Sequence, residues 1–177
     1  MKKTIILSLV FILLAFQASA YKQEDLDKLK ATNACKECDL TKADLRANLY
    51  KADLNGANLT EANLIGADLT KANLYGADLT KADLRGVNLT GANLTNTDLT
   101  SSNLIGADLI EANLTSSNLT GANLYGAVVL KADLTGAVLR DAQIDFADFT
   151  NAKLCNTVMP DGQRIFQDCS RDIGKDE

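Results

Sequence analysis

Histidine and tryptophan are absent from the 177 residues, and proline occurs once. Without histidine the chain lacks the commonest general base and the commonest zinc ligand, and the usual Ser-His-Asp triads cannot be built. Aromatic residues make up only 5%, which excludes a core of large interdigitating rings, although 46% hydrophobic residues suffice for a packed interior. Something small and regular has to fill it. Positive charge is also scarce: 18 Lys+Arg stand against 23 Asp+Glu, a net charge of −5. A nucleic-acid-binding surface needs a basic stripe to displace counterions from phosphates, so that class is disfavoured. The length suits one domain.

Residues 1–20 carry Lys2 and Lys3, an apolar run from Ile5 to Phe16, and then Gln17-Ala18-Ser19-Ala20. This order of charged, apolar and small residues is that of a secretory signal. The alternative is a membrane anchor, but the apolar run falls short of the ~20 residues that span a bilayer. Cleavage after Ala20 leaves Tyr21 first, with no cysteine at the new terminus to make a lipoprotein. The processed chain has 16 bases against 23 acids. It is expected to cross the inner membrane, reside in the periplasm or outside the cell, and make no stable membrane insertion.

From Asp39 to Met159 a five-residue unit recurs, as in Ala62-Asn63-Leu64-Ile65-Gly66 and Ala67-Asp68-Leu69-Thr70-Lys71. Such periodicity decides the fold. One register from Leu49 to Met159 contains 23 central positions, all apolar and 19 of them leucine. Two residues before each centre, 18 of the 23 positions are alanine, and the exceptions are Val87, Thr97, Ser102, Ser117 and Thr157. A period of five scatters leucine over all sides of a helix, and an odd period alternates it between the faces of a flat strand. What remains is a backbone that turns a corner in every unit and points each leucine and each small residue at one axis, a solenoid.

On these residues the chain resembles the pentapeptide-repeat family, with its A-(D/N)-L-x-x consensus. The resemblance implies an all-β fold, a right-handed quadrilateral parallel β-helix of four units per coil and about six coils. At ~4.8 Å per coil the rod is about 28 Å long. It divides the chain into a signal peptide (1–20), an N-terminal capping helix with the start of a C-x-x-C pair (21–37), the β-helix (38–159) and a C-terminal cap and tail (160–177). Glu24 to Lys30 reads as a short amphipathic helix over one end, with acids leading and lysines trailing. Pro160-Asp161-Gly162 reads as a turn, followed by Ile165 and Phe166 as a lid over the last coil. Leu45 and Leu49 are four apart, so the first units are one residue out of step, which implies a local kink or an incomplete first coil.

Folding the units by four aligns Thr60, Thr80, Thr100 and Thr120 in one outer column. It aligns Ile65, Arg85, Ile105 and Tyr125 in another, followed by a glycine column. With Tyr75 near one corner, the second column is the apolar stripe and the candidate interaction surface. Two of the four corner columns are rich in Gly and Asn and are expected to take positive φ; the other two are not.

Cys35 and Cys38 lie at one end of the rod and Cys155 and Cys169 at the other, so they cannot share one zinc ion, which needs all its sulfurs at ~2.3 Å. The expected arrangement is two disulfides, Cys35–Cys38 and Cys155–Cys169, each local to one cap. A thioredoxin-type redox role for Cys35/Cys38 stays open, although that chemistry wants a helix after the pair, and here the helix precedes it. The Asn/Asp ladder, including Asp53, Asp68, Asp78, Asp83 and Asp98, reads as turn chemistry. No catalytic group, cofactor or metal is expected. The reading is an exported, non-catalytic scaffold that binds a protein or an envelope component. Three alternatives stand beside it: a redox protein, a water- or ice-ordering surface built on the threonine column, and a DNA mimic. The last comes from the resemblance, because cytosolic family members bind type II topoisomerases by imitating DNA. Residues 38–159, however, hold 14 acids against 9 bases, with lysines interleaved.

Overall fold

The computed structural model describes residues 21–167 and Cys169. The expected signal peptide and the end of the expected tail lie outside the described residues. The central feature is a stack of coils joined by parallel bridges at a spacing of 20 residues, such as Asn48 with Asp68, Asp68 with Asn88 and Asn88 with Asp108. Each coil therefore holds four units. Along one side of a coil the small residue points in, Asn or Asp points out and leucine points in, which is ordinary strand alternation. The chain then turns a corner, and the odd period is reset. Every central leucine from Leu54 to Leu124 is 0% exposed, with the small residues beside them.

Backbone accounting explains the repeat. In the unit from Ala72 to Gly76, the Ala72 N–H closes the preceding corner on Leu69 O at 2.9 Å. Asn73 N–H reaches back to Ala52 O, while Leu74 and Gly76 N–H reach forward to Asn93 O and Thr95 O. The fifth donor, Tyr75 N–H, has no ladder partner and is accepted by Asn73 Oδ1 at 3.3 Å. An unpaired peptide donor is costly, and Asn and Asp are the residues whose short side chains can reach the N–H two positions on. The same contact recurs at Asp53, Asp68, Asp78, Asp83 and Asp98.

One expectation about the backbone is corrected. Positive φ is not confined to two corners: it occurs at all four, with Lys51, Glu61, Lys71, Lys81, Glu111 and Lys131 at +55° to +58° beside glycines at +60° to +72°. The residue at this position must donate its N–H to the next coil while the chain turns, so ladder geometry sets the dihedral whatever the side chain. Of the two forms expected for the misregister, a local kink and an incomplete first coil, the structure takes the local kink. The first bridges, Ala34 with Asp53, Asp39 with Asn58 and Asp44 with Asn63, are spaced by 19 residues. One corner absorbs the missing residue, because Ala47 N–H bonds Leu45 O two residues back at 2.8 Å.

The ladder also starts earlier than residue 38. Cys35 occupies a leucine position, its N–H bonding Asp53 O at 2.7 Å, and Glu37 sits at the corner with φ of 55°. Cys38 then takes an alanine position, so C-x-x-C is itself a corner of the first coil. Over it lies helix α1 (Gln23–Thr32), with Leu26 and Leu29 buried in the common core and Asn33 closing it in the left-handed conformation. No described helix is long and apolar enough to cross a membrane.

At the other end strands β1 (Leu154–Val158) and β2 (Arg164–Gln167) form an antiparallel hairpin that pairs Cys155 with Phe166. Ile165 packs against the core, but Phe166 is 65% exposed and is no part of a lid. Adjacent residues of a strand point to opposite faces, so the two could not both face inward.

Candidate functional site

The four corners carry the outward side chains. Ile65, Arg85, Ile105 and Tyr125 do stack along one corner, as the ladder bonds from Gly66 N–H to Arg85 O, Gly86 N–H to Ile105 O and Gly106 N–H to Tyr125 O require. Tyr75 does not join them. It lies two units away around the coil, at the diagonally opposite corner, where its hydroxyl accepts a hydrogen bond from Asn96 Nδ2 at 3.2 Å. The column is also less cationic than its arginine suggests, because Arg85 is held by both oxygens of Asp83 at 2.8 and 2.7 Å. Arg46 and Asp44 repeat the arrangement one end down.

Thr60, Thr80, Thr100 and Thr120 form the expected column at another corner. Two of its hydroxyls are committed within the molecule: Thr100 Oγ1 donates to Asp98 Oδ1 and Thr120 Oγ1 to Asn118 Oδ1. Asn118 Nδ2 in turn donates to Thr100 Oγ1 at 2.9 Å.

The cysteines are paired as Cys35–Cys38 and Cys155–Cys169, with Cα–Cα separations of 5.3 and 4.7 Å. Asp25 lies beside the first pair, but its Oδ2 accepts the Asp39 N–H at 2.8 Å, and disulfide sulfurs are not free ligands. Cys35 and Cys38 are 0% and 3% exposed, and disulfide exchange needs an accessible sulfur.

The carboxylates show how tightly the corners are bonded. The Arg85 guanidinium, followed by the Arg85 N–H, holds Asp83 below the usual carboxylate range, and Arg46 does so for Asp44. A threonine hydroxyl with its N–H lowers Asp39, Asp68 and Asp148. At Asp133 desolvation pushes upward but is outweighed by Thr135 and Lys153, leaving the group lowered.

One outward feature is not evident from any single column. On the side joining the Ile65/Ile105/Tyr125 corner to the next, the last coils carry Ile110, Val128, Leu130 and Phe146 beside Ile105 and Tyr125. Phe146 is 82% exposed and stands edge-on to Tyr125 with ring centroids 5.2 Å apart. Val128 departs from the consensus, and Ile110, Leu130 and Phe146 differ from the Thr70, Thr90 and Gly66/Gly86/Gly106/Gly126 of their own columns, which was the signal in the sequence that could have found them.

Comparisons with known proteins place this architecture. No curated protein matches the chain. Among solved structures it is similar to the pentapeptide repeat protein Rfr23 from the cyanobacterium Cyanothece 51142, at 30% identity over 77% of this chain and 97% of that one, with a TM-score of 0.39. It is similar to HetL, involved in heterocyst differentiation regulation in Nostoc sp. strain PCC 7120, at 26% identity over 83% and 100%, TM-score 0.27. It is also similar to QnrB1, a plasmid-mediated fluoroquinolone resistance protein, at 20% identity over 75% and 85%, TM-score 0.39. The family model described as pentapeptide repeats matches residues 47–86, 77–115 and 117–156 in eight copies. With its four-unit coils and its buried Leu/Ala interior, this chain belongs to the pentapeptide-repeat family, whose fold is a right-handed β-helix solenoid.

Proposed function

We propose that the protein is an exported, non-catalytic scaffold of a bacterial envelope, processed after Ala20 and acting through the outer faces of its rod on a protein or envelope component. The observation that carries this reading is the pair of disulfides, one at each end of the solenoid. Such bonds persist in oxidising compartments and are rare in reducing ones. The faces support the non-catalytic part, because many of their carboxylates are engaged in corner hydrogen bonds and ion pairs, as at Asp83 and Asp133.

The test is the intact mass of protein recovered from the extracytoplasmic fraction of a bacterial host, alkylated before and after reduction. A mass beginning at Tyr21, four hydrogens light and alkylated only after reduction, is the expected result. Retention of residues 1–20 with free thiols would overturn the reading and return the acidic rod to the DNA-mimic alternative, for which inhibition of a type II topoisomerase is the assay. The threonine column supports a water-ordering role less well than its sequence suggests, since the Thr100 and Thr120 hydroxyls are already engaged. A thermal-hysteresis measurement on the purified protein is expected to show none.

A further inference from the structure

The apolar side of the last coils departs from the pattern of the same side lower in the rod. Three stacked segments define it: Ile105 to Ile110, Tyr125 to Leu130, and Asp145 to Thr150, joined by bridges from Asp108 to Val128 and from Val128 to Asp148. In the middle segment Val128 replaces the Asn or Asp of the consensus, and the Leu130 N–H consequently has no acceptor among the described residues. Ile110 and Leu130 stand where Thr70 and Thr90 stand in the same column lower down. Phe146 continues the column of Gly66, Gly86, Gly106 and Gly126, with φ of 59° where its predecessors are glycine. Val128 forgoes the corner hydrogen bond to the Leu130 N–H and Phe146 sets a large ring at a left-handed corner, while Ile110 keeps its N–H bond to Asp108 Oδ1 at 3.0 Å; together the four make one apolar surface. Local rules are broken in this way where function is served instead.

We infer that this side is the docking surface of the scaffold, and that its partner is an amphipathic helix with an apolar stripe flanked by Lys and Arg. The width fits: three coils span two spacings of ~4.8 Å, close to the ~10 Å diameter of one helix. Strand addition is excluded on this side, because Leu109, Glu111, Val129 and Lys131 N–H already bond the next coil. The rim supplies the charge. Asp108, Asp145 and Asp148 border the apolar residues and none has an ion-pair partner among the described residues, whereas the bordering cations Lys131 and Arg85 are paired with Glu111 and Asp83. A basic flank therefore complements the site, and a second acidic copy of this chain does not.

The inference rests on the scaffold reading for its purpose, but its test does not depend on cellular location, so the two can fail separately. The probe is a synthetic helix of about 14 residues built from leucine and lysine, with leucine at i, i+3, i+4 and i+7, against the same peptide with glutamate for lysine. Binding is read by fluorescence anisotropy on the protein as recovered from its host and on the variant I110T/V128N/L130T/F146G. That variant restores the consensus Asn at 128 and gives the other three positions the residues of their columns lower in the rod, so its melting temperature is expected to stay level or rise while its affinity for the lysine peptide falls at least about tenfold. The glutamate peptide is expected not to bind. Equal binding to protein and variant, equal binding of both peptides, or no binding of either would overturn the inference. So would sedimentation showing a dimer that the variant abolishes, which would give the surface to a second copy.

Discussion

Ser102 occupies a small inner position, is buried, and has no hydrogen-bond partner for its hydroxyl among the described residues. Its counterparts are satisfied: Thr97 and Thr157 donate to Leu74 O and Leu134 O in the coil below, and Ser117 to Leu114 O. Burying an unsatisfied hydroxyl costs about 1–3 kcal/mol, so Ser102→Ala, which matches the alanine of most units, is expected to stabilise by about 1 kcal/mol. A rise of a few degrees in the thermal midpoint checks it, with Ser117→Ala as a control expected to gain less. The corner carboxylates set the pH response. Asp39, Asp68 and Asp148 are each held below their ordinary value in the fold, chiefly by the hydroxyl of the threonine two residues on. Their contribution is therefore present above the unfolded value of about 3.9 and is lost as pH falls through the lower folded value. Urea midpoints measured from neutral pH down to pH 2 are expected to drop in that acid window. Asp68→Asn, which keeps the acceptor and removes the charge, is expected to reduce the drop.

The two ends of the rod are closed by different means, and the difference decides how each responds to reduction. Cys35–Cys38 spans a single corner whose ladder bonds would remain, with α1 still seated by Leu26 and Leu29. Cys155–Cys169 spans 14 residues and ties β1 to Cys169, two residues beyond β2. In the chain-entropy account a loop of that size stabilises by roughly 3 kcal/mol, so Cys155→Ser with Cys169→Ser is expected to lose most of that amount, and Cys35→Ser with Cys38→Ser clearly less. Denaturant titration of both double variants, with hydrogen exchange at Ile165 as the local reporter, measures the contrast. The hairpin also shows where reading the sequence stopped short. Pro160-Asp161-Gly162 announced a turn, and the Gly162 N–H does bond Met159 O at 2.9 Å. Which of Ile165 and Phe166 faces the core depends on the register against β1, and that register contains an irregularity between Cys155 and Thr157.

At the scale of the whole molecule, a unit is a quarter turn, so removing five residues rotates everything after the cut by one corner without changing any unit. Deleting residues 72–76 shifts all later coils together and leaves the apolar side intact. Deleting residues 112–116 moves Tyr125, Val128 and Leu130 one corner away from Ile105 and Ile110. Both variants are expected to fold and melt alike, since the buried units are equivalent and interact only with their neighbours. Only the second is expected to lose the lysine-peptide binding, by about tenfold or more. Loss in both would mean that the binding surface extends to the first coils.

The repeat alone determined the solenoid, because a five-residue period with Leu and Ala at fixed offsets can bury both only on a chain that turns every unit. It also determined the likeness of the columns and the place of each cysteine at one end or the other. Four things were decided by the tertiary structure. Corner dihedrals come from the ladder to the next coil, which forces positive φ on lysine and glutamate as readily as on glycine. Cys35 entered the first coil because the ladder extends one unit beyond the legible motif, with a disulfide standing in for leucine and alanine. Tyr75 was separated from the Ile105 column because two units place it diagonally across the coil. The apolar side emerged from residues 36 positions apart along the chain, Ile110 and Phe146, which only the stacking of coils brings onto one surface.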